Sequence, residues 1–229
     1  MEAPTVDRLS RSVQDYLKTI YTLTRQERTT NTVKLADALD VAPASVSNML
    51  QRLDEGQPRL VEYHKHHGVT LTNEGEQAAL RVIRRHRLLE QFLFEVLGYP
   101  WDKVHAEAEE LEHSITPYFE DRLAHLLGEP TFDPHGDPIP DRALVFPVRA
   151  GLAALTALNV GQAGVVRQVT AKPAEILAYL GQAGLHPGVQ VRVVQRNPVD
   201  GALRVSISGQ VEDQVLSPLI ADTILVQIV

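Results

Sequence analysis

The chain contains no cysteine, no apolar run long enough to cross a bilayer and no excess of positive charge, and each absence narrows what it can be. Without cysteine there is no disulfide, no zinc–thiolate site and no thiol redox switch, so a metal centre would have to be built from imidazole and carboxylate. The longest apolar stretches, such as Gly151-Leu152-Ala153-Ala154-Leu155, fall well short of the roughly 20 residues a membrane helix needs, so no membrane partner is expected. Asp7, Arg8 and Arg11 interrupt any basic-then-apolar leader, and the expected location is cytoplasmic. No Gly-x-Ser-x-Gly, phosphate-binding glycine loop or His-Glu-x-x-His is present, so neither an enzyme nor a small organic substrate is expected. A net charge of -7 is awkward for a nucleic-acid binder. The charge is unevenly placed, however: Glu107, Glu109, Glu110 and Glu112 crowd one segment, while Arg81, Arg84, Arg85 and Arg87 crowd another.

What remains is an ordinary globular composition, 44% hydrophobic and 22% charged, over 229 residues, enough for two modest domains. Its most informative feature is the set His105, Glu109, Glu112 and His113. On a single helix the spacing i, i+4, i+7, i+8 aligns all four along one stripe, and imidazole with carboxylate makes a site for a first-row divalent metal. The bland reading is a solvated acidic helix face. Three features weigh against it. Val104, Ala108 and Leu111 give the helix an apolar side; His86 and Glu90 offer a second i,i+4 pair one helix earlier; and Asp15 lies among apolar Val13, Tyr16 and Leu17. Glu110-Leu111-Glu112-His113 is a Glu-x-x-His motif with no second copy, which argues against a di-iron oxidase.

Periodicity predicts a first helix over residues 7 to 26, and a short helix capped by Thr32 and carrying Leu35, Ala36 and Leu39. After a turn at 40 to 42, Pro43 opens a third helix through residue 53. Residues 59 to 71 read as a β-hairpin, 72 to about 97 as a long helix and 101 to about 127 as another. Residues 128 to 147 are a connector rich in proline, glycine and aspartate. Beyond residue 150, short β-branched runs around one helix at 174 to 180 indicate a small β-barrel. Helix, turn, helix, hairpin is the order of a winged helix-turn-helix. Pro43, Ala44, Ser45, Ser47 and Asn48 begin the second of its helices, where small and hydroxylated side chains let the backbone approach base edges. Arg52, Arg59, Lys65 and the hairpin histidines are expected to contact phosphate. Taken singly, Ser45, Ser47 and Asn48 are also what an ordinary solvated helix presents.

The segments 15–21, 85–90 and 102–113, with Gly136-Asp137-Pro138-Ile139-Pro140, resemble the metal-dependent regulators of the diphtheria toxin repressor and manganese transport regulator family over nearly the whole chain. The resemblance implies an α+β architecture in three parts: a winged helix-turn-helix (1–75), a helical dimerisation and metal-binding domain with its connector (76–150), and an SH3-like, FeoA-type domain (151–229). It further implies a homodimer on double-stranded operator DNA, most simply a repressor of metal uptake genes. Asp15, Glu109, Glu112 and His113 would form a primary metal site, and His86, Glu90 and His105 an ancillary one, with Glu175 a weaker ancillary candidate. Iron-responsive members carry cysteine at the position of Glu109. A carboxylate there favours Mn(II), with Fe(II) or another divalent transition metal as the alternative. Lys18 stands where two-domain manganese regulators carry a second carboxylate. The dimer contact is expected on Leu88, Leu89, Phe92, Leu93, Val96 and Leu97, a stripe that intramolecular packing would equally explain. The competing classes are a metal-independent winged-helix regulator and a metalloenzyme.

Overall fold

The computed structural model describes residues 8–27, 29–65, 67–149, 151–171 and 173–229, without the side chains of residues 26 and 27. Asp7, where the first helix was expected to start, and His66 of the hairpin lie outside the described residues. The chain divides into two compact units: residues 1–86, 110–120 and 140–145 form one, and residues 87–109, 121–139 and 146–229 the other.

In the first unit, α1 (Arg11–Glu27) buries Val13, Leu17 and Ile20, a stripe at i, i+4, i+7, into one core with Leu35 and Ala36 of α2 (Thr32–Leu39) and Val46, Leu50 and Leu53 of α3 (Pro43–Glu55). The cap of α2 is Asn31 rather than Thr32: its side-chain oxygen accepts from the N–H groups of Val33 and Lys34, both at 3.0 Å. Asp40, at φ 52, ends α2, and Pro43 opens α3 at a position that needs no N–H donor. The hairpin pairs β1 (Val61–His64) with β2 (Gly68–Leu71), Val61 opposite Leu71 and His64 opposite Gly68. Thr30 adds a bridge to Val69, so the wing is stitched to the loop between α1 and α2.

The long helix α4 (Asn73–Glu95) runs through both units. Within the first, Arg84 and Arg85 are buried and both donate to the Glu120 carboxylate, at 2.9 and 3.0 Å, while Arg84 also holds the Pro140 carbonyl at 2.6 Å. The single helix expected over 101 to 127 is two: α5 (Val104–Leu111) and α6 (Pro117–Leu126). Pro117 has no N–H to continue a helix and disfavours helical geometry at Thr116. The Thr116 hydroxyl then caps the new helix by accepting from the Phe119 N–H at 3.2 Å.

In the second unit, six antiparallel strands run in the order β3-β8-β4-β5-β6-β7. They are β3 (Leu152–Ala154), β4 (Ala163–Val169), β5 (Gln190–Arg196), β6 (Leu203–Ile207), β7 (Gln214–Leu216) and β8 (Ile224–Ile228). Register shifts at Val166/Gln168 and Val193/Gln195 bend the strands as bulges do. Alternation sends Leu203, Val205, Ile207, Ile224 and Val226 inward, where Leu177 and Leu180 of α7 (Ala174–Gln182) complete the core. Two strands, β3 and β7, and the short α8 (Pro218–Asp222) add to the elements read from sequence. The architecture is α+β, with an N-terminal winged helix-turn-helix, a helical middle and a C-terminal SH3-like sheet.

The Gly-Asp-Pro-Ile-Pro connector is a packing element of this unit. Gly136 lies at φ +84, and a Cβ there would stand 2.0 Å from the Arg167 carbonyl oxygen. The adjacent His135 carbonyl accepts from the Val169 N–H at 2.8 Å, Asp137 accepts from the Gln168 amide at 2.6 Å, and Arg87 donates to the Pro138 carbonyl.

Candidate metal centre and nucleic-acid face

The first unit gathers Asp15 from α1 with Glu112 and His113 from the turn that follows α5, their potential donor atoms all within 4.8 Å of one another. Gln14, a neighbour that composition and spacing gave no reason to single out, orients the histidine ring. Its amide nitrogen donates to the Leu9 carbonyl at 2.9 Å, so its oxygen is the atom 3.0 Å from His113 Nδ1. An oxygen there needs a donor, so Nδ1 carries a proton and Nε2 is the nitrogen turned away from Gln14. Nε2 faces two carboxylates: Asp15 Oδ1 is 2.9 Å away and Glu112 Oε1 3.4 Å, and buried Nε2 makes no hydrogen bond. One imidazole nitrogen and two carboxylates thus converge on a single small volume of low exposure. Neighbouring donors around an octahedral divalent ion stand about 3 Å apart, so the set fits such an ion.

Glu112 is fully buried, and both its oxygens are held: Oε1 by the Lys18 ammonium at 2.6 Å and Oε2 by His86 Nδ1 at 2.6 Å. In the latter bond His86 Nδ1 is the donor, since a carboxylate oxygen accepts.

The expected stripe is divided. Because α5 ends at Leu111, Glu112 and His113 leave the helical path that would have kept them in line with His105 and Glu109. Glu109 belongs to the second unit, 3.7 Å from His105 Nε2. There His105 Nδ1 also lies 2.9 Å from buried Glu90. The same unit brings Asp133 and His135 to Glu90, three buried side chains with donor atoms within 4.8 Å. His135 donates through Nε2 to the Trp101 carbonyl at 3.1 Å, and its Nδ1 stands 3.8 Å from Glu90 Oε1. Sequence reading passed over Asp133 and His135 because a connector 43 residues from Glu90 shows no spacing that would link them. Glu175 is exposed in the first turn of α7 and, among the described residues, joins none of these groups.

On α3, Pro43, Ala44, Ser45, Asn48 and Arg52 are exposed, while the Ser47 hydroxyl donates back to the Pro43 carbonyl at 3.1 Å and is half-buried. Gln51 shares the exposed face and is a polar residue the sequence reading omitted; it donates to Glu55 at 3.0 Å. Lys65 is exposed at the wing tip. Asp54 joins α3 to the wing by accepting from the Tyr63 N–H at 3.1 Å and from Arg59 at 2.9 and 2.7 Å. Burial raises its pKa, but these hydrogen bonds and the Arg59 charge outweigh it and hold the carboxyl below its usual range.

Of the expected dimer stripe, Leu88, Leu89 and Leu93 are buried within the second unit and Phe92 is half-buried. Val96 and Leu97 remain exposed, joined by Phe94, which the sequence reading had not placed there.

Among known proteins, residues 8–69 match the N-terminal DNA binding domain of the iron dependent repressors, residues 72–141 their metal binding and dimerisation domain, and residues 153–228 the FeoA domain. The chain is 35% identical over 205 residues to the iron-dependent repressor IdeR of Mycobacterium tuberculosis, covering 85% of this chain and 87% of that protein. It is 35% identical over 116 residues to the HTH-type transcriptional regulator MntR of Oceanobacillus iheyensis, 51% of this chain and 77% of the other. A solved manganese-dependent transcriptional repressor in complex with manganese superposes with a TM-score of 0.83 at 36% identity, covering 95% of this chain and 100% of that one.

Proposed function

The chain belongs to the iron-dependent repressor family, and from that premise we propose that it is a homodimeric transcriptional repressor that binds double-stranded operator DNA when a divalent metal, Mn(II) foremost, is held by Asp15, Glu112 and His113. It acts in the cytoplasm on promoters of metal uptake genes, and it is a DNA-binding regulator rather than an enzyme. The observation that carries this reading is the buried Nε2 of His113, turned by Gln14 toward two carboxylates and without a hydrogen bond. All three donors are nitrogen or oxygen, a set suited to Mn(II). Fe(II) is the second reading, supported by the mycobacterial relative named as iron-dependent.

A bound divalent ion supplies the positive charge that lets the Asp15 and Glu112 carboxylates and the His113 lone pair share one small volume. The remaining work is done by the chain. Asp15 rides on α1, whose Val13, Leu17 and Ile20 share a core with Val46 and Leu50 of α3, so holding Asp15 against the 112–113 turn fixes the helix on which the reading helix rests. Ala44, Ser45, Asn48 and Gln51 then meet base edges, and Arg52 and Lys65 meet phosphate. In the dimer, joined through exposed side chains such as Phe94, Val96 and Leu97, the two α3 helices enter major grooves about 34 Å apart. Metal and operator favour the same arrangement, so each tightens the binding of the other. Glu90 and His105 are assigned to an ancillary ion, with His86, expected there, also orienting Glu112.

The test is a duplex selected from a random pool in the presence of Mn(II), followed by fluorescence anisotropy during chelator titration. Affinity should fall at least a hundredfold in excess chelator and return with Mn(II). Unchanged affinity would remove metal control from the reading, and a parallel panel of divalent cations ranks Mn(II) against Fe(II).

A further inference from the structure

We infer that Lys18 is a built-in competitor for the primary metal, sharing one oxygen with it and thereby setting how much free metal is needed to occupy the site. The inference rests on Glu112 being a ligand, as proposed above. Lys18 Nζ stands 2.6 Å from Glu112 Oε1, with side-chain exposures of 16% and 0%. Glu112 Oε1 also lies 3.4 Å from His113 Nε2, so the ammonium sits on an oxygen that faces the donor set. The other oxygen is held by His86, so Glu112 has no idle oxygen to offer.

An ammonium and a divalent ion on one carboxylate oxygen would stand within about 4 Å of each other, where like charges repel strongly in a site of low polarity. The four-carbon stem of Lys18 lets it resolve the conflict. Already partly exposed, the ammonium can swing outward into water while its methylenes stay on α1. Binding an ion therefore requires breaking a buried, charge-assisted hydrogen bond. The same bond gives Glu112 a cationic partner before any ion arrives, so the metal-free site is not left as bare opposing carboxylates.

The experiment measures Mn(II) binding by isothermal titration calorimetry to the full chain and to its Lys18→Met, Lys18→Arg and His113→Ala variants. Lys18→Met should bind Mn(II) about tenfold to a hundredfold more tightly, the span expected for loss of one competing charge-assisted hydrogen bond. Lys18→Arg, which keeps the charge, should bind no more tightly than the natural chain. In a second readout on the natural chain, reductive methylation followed by mass spectrometry should show Lys18 labelling faster once Mn(II) is saturating. Equal or weaker Mn(II) binding by Lys18→Met overturns the inference. If that variant does not fold, unchanged Lys18 labelling with Mn(II) overturns it. A natural chain that binds no Mn(II), or a His113→Ala chain that binds it normally, would instead overturn the primary-site reading itself.

Discussion

Replacing Asp15 by alanine separates metal binding from folding, because the two effects differ in size. Asp15 is 31% exposed at its side chain and lies 2.9 Å from His113. A partly exposed pair of this kind contributes at most about 1 kcal/mol. Against that loss, alanine is the better residue within α1, and removing one carboxylate relieves its repulsion with Glu112. The metal-free variant should therefore melt within a few degrees of the natural chain. Metal changes the comparison. At a Mn(II) concentration one hundred times the natural Kd, binding stabilises the folded form by about 2.7 kcal/mol, which for a chain of this size raises Tm by about 5–11 °C. If loss of one anionic ligand weakens binding about a hundredfold, the same concentration stabilises the variant by only about 0.4 kcal/mol, a rise of about 1–2 °C. Scanning calorimetry of both proteins, with and without Mn(II), reads all four states. A variant that keeps the full metal-induced rise would show that Asp15 is not a ligand.

Three further outcomes follow from other parts of the molecule. Arg52→Ala should weaken operator binding about tenfold and reduce the salt slope by about one, with Mn(II) affinity unchanged, as measured by anisotropy across a salt series. Gly136→Ala should destabilise the second unit by about 2–4 kcal/mol, since its Cβ would meet the Arg167 carbonyl at 2.0 Å on a backbone already at positive φ; urea titration followed by the single tryptophan, Trp101, reports it. Asp54→Asn should cost about 1 kcal/mol at neutral pH. Because the folded carboxyl titrates below its unfolded counterpart, the stability it adds is present above about pH 4 and is lost as pH falls through the lowered folded value, so the difference between variant and natural chain should shrink there.

The parts of the fold legible in the sequence are those where a local signal and a burial pattern coincide. The stripe on α1, Pro43 at the head of α3, and the alternation of β6 each announce both an element and its inward face. The 101–127 region was misread because its hydrophobic period survives across the 112–116 turn. The Thr116-Pro117 pair, a cap followed by a first-position proline, was the available signal and was passed over. The three-residue strands β3 and β7 are too short to carry a period. Gln14, Asp133 and His135 escaped for another reason: an amide that sets a tautomer, or a carboxylate brought from a distant connector, leaves no trace in spacing.

Glu120 answers two buried guanidiniums at once, one on each oxygen. Three interior positions on two helices thus set one carboxylate between two guanidiniums, and the Pro140 carbonyl takes a further Arg84 donor. Such a trio resists piecemeal drift, since a neutral residue at 120 takes a carboxylate from both arginines at once, whereas a neutral residue at 84 or 85 leaves the carboxylate with the other guanidinium. Substitution histories through this spot should accordingly run in one direction, an arginine giving way first and the glutamate only afterwards.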